Sequence, residues 1–576
     1  MSNSLLRLLR TCSYLRLSQI FFRVWYSLKR NIFPRFFVFK TVSQSNHLLL
    51  QSIIPLVAGD KYIEQNPQIV DEVAEGQLTL LSATKHFTGA SDWQAPIQQK
   101  TDRLWYHRLH YHTWLVSLGL ADCHDRPWLH KKIAFFIDDW IQSNPKNSQN
   151  VKAFSWNSYA IASRLDSWRI ILGLLGETGP FQDQSLREKM ADSIASQANY
   201  LLHNIEWDLR GNHLIRDALG LASASRIIDG EITKKWEDTA FNLALTQFGE
   251  QILEDGGHFE RSPAYHLEIM HDLLKLIQLF PERNCDTLIT SWRKMEKFVR
   301  SITLPDGSLP LLNDSWHSNP EALLQAGNLF SQNSYVRPSE TLTSFPTTGI
   351  HYFNSDGFNI LFDTGDIGPD FQPAHGHADT LSVLSTYKRI NLFIDPGCFH
   401  YDHDSRRHYD RSTDSHNTVC IDQQDSSEVW HIFRVGRRCR VKDYSKAFRN
   451  GKWHVEASHN GFQKLPGKPI HTRHIDVNKN ELIILDMIRS NGEHKITGGF
   501  LIDPKWTITT TECGWILRTK NEQLNVTFQS NVQLTQQITE RSMALRYGDS
   551  GITSRLEWSY LGKCPLNVTT IVTVNT

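Results

Sequence analysis

From about Trp105 to Ile302 the apolar residues recur at three- and four-residue intervals. Leu104, Trp105, Leu109, Tyr111, Trp114 and Leu115 form one stripe, and Leu165, Trp168, Ile171, Leu172 and Leu175 another. That spacing predicts amphipathic helices. The clearest runs from Tyr265 to Phe280, with Met270, Leu273, Leu274, Ile277 and Phe280 on one face. Ser262 before Pro263 reads as a cap followed by an N1 proline, so Tyr265 falls in the first turn. Near residue 340 the period changes. Short β-rich runs follow: Gly349–Phe353, Phe358–Phe362, Leu381–Thr386, Leu392–Ile394, Thr418–Ile421, Leu482–Leu485, Leu524–Phe528 and Val568–Val574. Polar or glycine-containing turns separate them, as in a sandwich of many strands. Tyr387-Lys388-Arg389 reads as a hairpin turn that folds Asp395 back toward the start of the preceding strand. Helices first and strands afterwards imply separate domains. The expected division is a basic N-terminal arm over 1–60, a helical domain over 61–340 and an antiparallel β-sandwich over 341–576.

Composition narrows the function classes. The 576 residues exceed a single core, and 40% hydrophobic with 21% charged content describes a globular chain. Sixty-one Lys and Arg balance sixty-one Asp and Glu, so no bulk field attracts nucleic acid. An acidic polymer could bind only through a local cleft of Arg, His and Lys. Eight scattered cysteines without a CxxC pair give neither a zinc ribbon nor a disulfide scaffold. The first 59 residues carry eight basic residues and no acid. Arg7, Arg10, Arg16 and Arg23 interrupt each apolar run, and the stretch from Leu48 to Val57 is short and contains Pro55. Neither a signal-type apolar region nor a spanning helix is expected. A basic amphipathic helix is, packed on the protein or resting on an anionic surface, with the packed form favoured.

The chemistry concentrates in a few loops. His375-Gly376-His377-Ala378-Asp379, Asp395-Pro396-Gly397 and Ser415-His416-Asn417-Thr418 offer two imidazoles, a carboxylate and a third imidazole. His and Asp suit a borderline metal such as zinc, and one histidine is left over for chemistry. In the helical half stand Gly211-Asn212-His213, the run from Asp255 through His258, Glu260, Arg261 and Tyr265 to His266, and Leu312-Asn313-Asp314-Ser315. Asn212 could serve as a helix cap. Tyr265, at a helix N-terminus with Arg261 close in sequence, is expected to have a stabilised phenolate and to carry a proton.

In this order NHLIRDA, DGGHFERSPAYH, HGHADTLS, FIDPG and DSHNTV resemble the heparinase II/III family of polysaccharide lyases, which includes alginate-lyase-like relatives. The resemblance runs from about Leu104 through the HNT strand and more loosely to the C-terminus. It implies an incomplete (α/α) toroid followed by an antiparallel β-sandwich, with a cleft between them. It also implies β-elimination at a uronic acid residue within a glycan that is heparan-sulfate-like, alginate-like or a bacterial exopolysaccharide. Carried over, Asn212 and His375 would neutralise the uronate carboxylate and Tyr265 would shuttle the proton. His213 would be a further acid or base. For a second acid the candidate set carries Tyr409, with Tyr401 and His408 left open beside it. Arg261, His258, Glu260 and Asn313 are the substrate-binding candidates. His377, Asp395 and His416 would bind one divalent metal, zinc in preference to calcium, in a mainly structural role that orients the strand carrying His375.

Two other classes compete. A glycoside hydrolase on an α-toroid would need opposed carboxylates, for which Glu260, Asp255 and Asp314 are the nearest candidates. A non-catalytic glycan-binding protein of polymer assembly would keep the cleft and tolerate loss of Tyr265. The family resemblance points to a bacterial cell envelope or periplasm, whereas the lack of a readable signal peptide leaves the cytoplasm as the alternative. Oligomeric state is open.

Overall fold

The computed structural model describes residues 3–31, 68–94, 103–121, 127–146, 154–176, 179–331 and 342–574. The expected boundaries at 60/61 and 340/341, and the Leu48–Val57 stretch, lie outside the described residues.

Two helices open the chain, α1 (Asn3–Cys12) and α2 (Leu17–Asn31). After the short α3 (Ile69–Ala74) and a two-stranded hairpin come α4 (Arg103–Tyr111), α5 (Thr113–Leu120), α6 (Pro127–Ser143), α7 (Ser158–Leu175) and α8 (Gln184–Leu202). Then follow α9 (Asn212–Ile227), α10 (Glu231–Gln251), α11 (Pro263–Leu279), α12 (Asp286–Ile302) and α13 (Glu321–Ala326). Sequence neighbours pack in hairpins, and α9 touches α7, α8, α10 and α11. Both α7 and α9 are buried almost all round, the pattern of an inner helix. Their closest approach uses small residues: a Cβ on Gly220 would lie 2.5 Å from the Cα of Ala162. The cap predicted for α11 is present, with Tyr265 N donating to Ser262 Oγ at 3.3 Å ahead of Pro263.

The β-half is built on two large antiparallel sheets, with a two-stranded ladder of 429–430 and 434–435 beside them. One runs in the spatial order 535–546, 549–563, 493–502, 390–394, 383–387, 358–363, 350–354 and 342–345, with 419–421 pairing off on 493–502. The other has eight strands, in the order 441–449, 452–459, 470–477, 481–489, 566–574, 523–530, 514–518 and 507–511. Phe358, Ile360, Phe362 and Val383 of the first sheet pack with Val455, Ile475, Val477 and Ile484 of the second. Alternate residues of the first sheet, Ile350, Tyr352, Leu361 and Leu384, join the helical core instead. That sheet therefore lies between the second sheet and the toroid, and its loops emerge at the interface. The hairpin at Lys388 (φ +54°) pairs Tyr387 with Ile390 and returns the chain to Asp395 as predicted. A helix the periodicity did not predict, α14 (Ser405–Arg411), sits in the loop before His416.

Motif loops of the helical half lock onto the β-half. Asp255 accepts from Thr348 N (2.8 Å) and Thr348 Oγ1 (2.7 Å). Ser262 Oγ donates to Asp314 O (2.7 Å), and Asp314 N donates to His375 O (3.0 Å).

Candidate active site in the cleft between the halves

A cavity of about 970 Å³ opens between toroid and sandwich. Asn212, His213, Tyr265, His375 and Tyr401 line it together. Gly211 (φ +59°) is the cap of α9, so Asn212 is the first helical residue and not the cap. Its Oδ1 is buried without a partner. The Tyr265 ring stacks on the His375 imidazole at 3.8 Å between centroids, and its hydroxyl lies 3.0 Å from that of Tyr401.

Beneath this pair sits Asp314, fully buried. His375 Nδ1 and Arg407 Nη2 donate to its Oδ2 at 2.9 and 2.8 Å. His377 Nε2 donates to Oδ1 at 2.9 Å, where Arg407 Nη1 also donates. Burial pushes the Asp314 carboxyl up, but the Arg407 guanidinium and these hydrogen bonds hold it well below the usual carboxylate range. Arg407 also lies 4.9 Å under the Tyr401 ring. One helix residue thus braces both faces of the site. Gly376, between the two histidines, is required by space, since a Cβ there would meet Ile367 O at 2.0 Å.

Several expectations need correction. Tyr265 is not poised as a phenolate. Burial, then the charges of Glu268 and Asp314, raise it well above its ordinary value. Arg261 gives no help: its backbone takes φ +57° and its guanidinium turns to Asp366 O (2.7 Å) and Thr347 O (3.2 Å) across the domain boundary. Asn313 is equally structural, donating to Arg261 O (3.0 Å) and accepting from His377 N (2.8 Å). His258 is buried behind the site, with Nε2 2.9 Å from Gln251 Oε1. Glu260 is buried beneath Asn212 and His375, 3.5 Å from His375 Nε2; burial raises its carboxyl, partly offset by that imidazole. Tyr409 lies on α14 outside the cavity lining, its ring 5.4 Å from the Arg406 guanidinium, and Tyr401 is the second tyrosine beside Tyr265. His408, the other residue left open, is exposed on α14 and is also outside the lining.

His213 keeps the cleft position expected of it. Its Nδ1 lies 2.9 Å from Glu206 Oε2. Burial lowers the imidazole, but the Glu206 charge and hydrogen bond outweigh it and raise the net value. Arg108, His107, His317 and Arg546 also line the cavity, against one lining carboxylate, Glu268. That carboxylate is held by Arg216 Nη2 (2.8 Å) and Tyr159 Oη (2.5 Å). The cleft is basic although the chain is neutral. The hydrolase candidates do not face each other across it: Asp314 is locked, Asp255 binds Thr348, and Glu260 is buried.

Of the metal candidates, His416 Nδ1 lies 2.9 Å from Asp395 Oδ2. His377 Nδ1 is buried without a partner, and the two imidazole centroids are 5.3 Å apart. A tetrahedral zinc site needs its donor atoms about 3.3 Å apart, given bonds of ~2.0–2.1 Å. The three are not gathered within 4.8 Å of one another; among the described residues only His454, His474 and Asp476 are. That group could hold a metal ion and lies on the outward face of the eight-stranded sheet, where Asp476 Oδ1 is 2.7 Å from both imidazoles.

Residues 74–338 match the family model for the heparinase II/III N-terminus, and residues 337–558 match that for the heparinase II/III-like C-terminal domain. The chain belongs to the heparinase II/III family. It is 23% identical over 404 residues to a heparin-sulfate lyase of Bacteroides thetaiotaomicron, covering 62% of this chain and 57% of that protein. It is also 23% identical to a heparin-sulfate lyase of Pedobacter heparinus, covering 58% of this chain and 54% of that one. The chain thus spans little more than half the length of these curated relatives. A crystal structure of heparinase III superimposes with a TM-score of 0.72 at 18% identity, covering 92% of this chain and 86% of that one. The toroid-plus-sandwich fold is therefore that of heparinase III.

Within this heparinase II/III fold, sequence reasoning missed Arg407, and it considered Asp314 only for hydrolysis. The two are 93 residues apart, so no local spacing could pair them.

Proposed function

We propose that this protein is a polysaccharide lyase that cleaves a uronic-acid-containing glycan by β-elimination. The observation that carries this is the clustering of Asn212, His375, Tyr265, Tyr401 and His213 around one basic cleft.

The uronate carboxylate would accept from the Asn212 side-chain amide and from His375 Nε2. Nδ1 of His375 is fixed on Asp314 Oδ2 at 2.9 Å, which leaves Nε2 as the ring nitrogen free to meet the uronate. Burial pushes the Glu260 carboxyl up, which weakens its repulsion of the incoming anion. An α-proton beside an ionised carboxylate is far too weakly acidic for a side-chain base, so donors that favour the dianionic enolate over the carboxylate lower the barrier. His213, which lines the cavity with Nδ1 held 2.9 Å from Glu206 Oε2, takes the C5 proton. The C5–H electrons form the C4–C5 double bond and the C4–O4 bond breaks. Tyr265, which burial keeps protonated, delivers its proton to the departing O4, with Tyr401 hydrogen-bonded behind it.

One divalent metal, zinc in this proposal, would be held by His377, Asp395 and His416. It would supply rigidity to the segment carrying His375. The envelope setting expected of the family is part of the same proposal, and recovery only with cytosolic markers on fractionation would contradict it.

The test is incubation with heparan sulfate, alginate and uronate-rich exopolysaccharides, following the ultraviolet absorbance of an unsaturated product. Tyr265→Phe should abolish turnover and leave the melting temperature within a degree or two. Reducing ends without absorbance would mean hydrolysis. Glycan binding without turnover, unchanged by Tyr265→Phe, would mean a binding protein.

A further inference from the structure

The two N-terminal helices are docked the wrong way round for water. On α2, the stripe Gln19, Phe22, Tyr26 and Lys29 faces the protein. Gln19 is buried, Phe22 stacks on Trp207 at 6.1 Å, Tyr26 Oη donates to Ile205 O, and Lys29 Nζ donates to His203 O (2.9 Å). On α1, Arg10 Nη1 meets both oxygens of Glu428 (2.9 and 3.0 Å), and Thr11 Oγ1 donates to Val435 O (3.2 Å). In the turn between them Arg16 pairs with Glu250 at 2.5 Å. The polar side is thus spent on the body of the protein, and it spans both halves of the molecule. The apolar side points away. Leu17 is 85% exposed, Phe21 61%, Val24 54% and Leu9 51%, with Leu8 and Ile20 close behind. On α2 these fall at 17, 20, 21 and 24, one continuous helical stripe. Exposed apolar residues scattered singly need no explanation, but a contiguous patch marks an interaction surface.

We propose that this face lies on an anionic phospholipid surface. Charge selects the occupant. The first 59 residues contain no acid, while α1, α2 and the turn between them carry Arg7, Arg10, Arg16, Arg23, Lys29 and Arg30. Arg7 and Arg10 pair with Glu428, and Arg16 with Glu250. Arg23 is exposed and reaches no carboxylate, its one hydrogen bond being to Asp208 O at 3.5 Å. A protein-binding face is normally rimmed by both signs, whereas a Leu/Phe stripe on a basic segment without acids, beside an arginine that meets no carboxylate, is the composition that enters a headgroup layer. No described helix is long and apolar enough to cross a membrane, so the association is interfacial. Because the docked side grips both the toroid and the sandwich, the cleft is carried to the lipid surface as a rigid unit. The inference does not depend on the lyase proposal.

The test is co-sedimentation of the full chain with vesicles of phosphatidylglycerol and phosphatidylethanolamine, and with vesicles of phosphatidylcholine alone. The chain should pellet at least tenfold more with the anionic vesicles, and high salt should weaken that binding. Leu17→Glu/Phe21→Glu should lose at least tenfold while keeping the wild-type melting temperature; the milder Phe21→Ser gives the same sign if the double variant is unstable. The proposal is overturned if wild type stays in the supernatant with anionic vesicles, or if both variants pellet as wild type does. It is also overturned if wild type forms a concentration-dependent dimer that Phe21→Ser dissolves, since a second copy would then cover the face.

Discussion

Replacing Asp314 by asparagine tests the bracing of the site. The carboxylate receives four donors on two oxygens: His375 Nδ1, His377 Nε2 and two nitrogens of Arg407. An asparagine keeps the shape but offers one acceptor oxygen, and its amide points donor-to-donor at two of the four. Arg407, almost wholly buried, loses its counter-charge. Breaking a buried pair by removing one partner costs about 3–5 kcal/mol. The sign with pH follows from the depressed carboxyl. Its stabilisation is fully present above the unfolded value of about 4 and is lost only as the pH falls through the lower folded value, so the deficit should be undiminished at neutral pH. Activity should fall by about a hundredfold or more, the usual effect of losing one aligned donor to the developing charge, because His375 is no longer fixed at Nδ1. Urea denaturation and turnover would be read on Asp314→Asn, Arg407→Met and the double variant. The double variant leaves no orphaned charge and should be more stable than either single one. A wild-type unfolding midpoint for Asp314→Asn at neutral pH would refute the reasoning, as would additive losses in the double variant.

Other outcomes follow from the same geometry. If His213 is the base, activity should rise as its imidazole loses a proton, at a pH above the ordinary imidazole value, and Glu206→Gln should move that acid limb downward in a pH–rate profile. Tyr401→Phe should cut turnover by at least tenfold while Tyr409→Phe leaves it near wild type; the reverse would restore Tyr409 to the site. Elemental analysis should find one zinc per chain that His377→Ala removes together with several degrees of melting temperature. A chain that loses zinc with no change in stability would contradict the structural role.

Much of this fold was legible because the hydrophobic period itself changes, from three and four to two, near residue 340. What periodicity missed shares a cause. In Ile470–Val477 the inward positions His471 and Arg473 are polar and buried, so the apolar alternation survives only at Ile475 and Val477. In Val441–Arg449 no residue is buried at all. The site was legible where its residues sit inside short motifs, as Asn212, His213, Tyr265 and His375 do. It was illegible where backbone direction decides: Arg261 is four residues from Tyr265, yet a positive φ sends its side chain to the other domain. Arg407 reaches Asp314 from α14, 93 residues away in the chain, and nothing local in the sequence announces that.

The central claim is that the glycosidic bond is broken by elimination and not by water. Mass spectrometry of the products of one cleaved uronate oligosaccharide tests it most directly, with the reaction run in ¹⁸O-water. Elimination predicts two fragments whose masses sum to that of the substrate, one of them unsaturated, with no ¹⁸O introduced by cleavage and none of either formed by Tyr265→Phe. Fragments whose summed mass exceeds the substrate by one water, with ¹⁸O incorporated at cleavage, would contradict it.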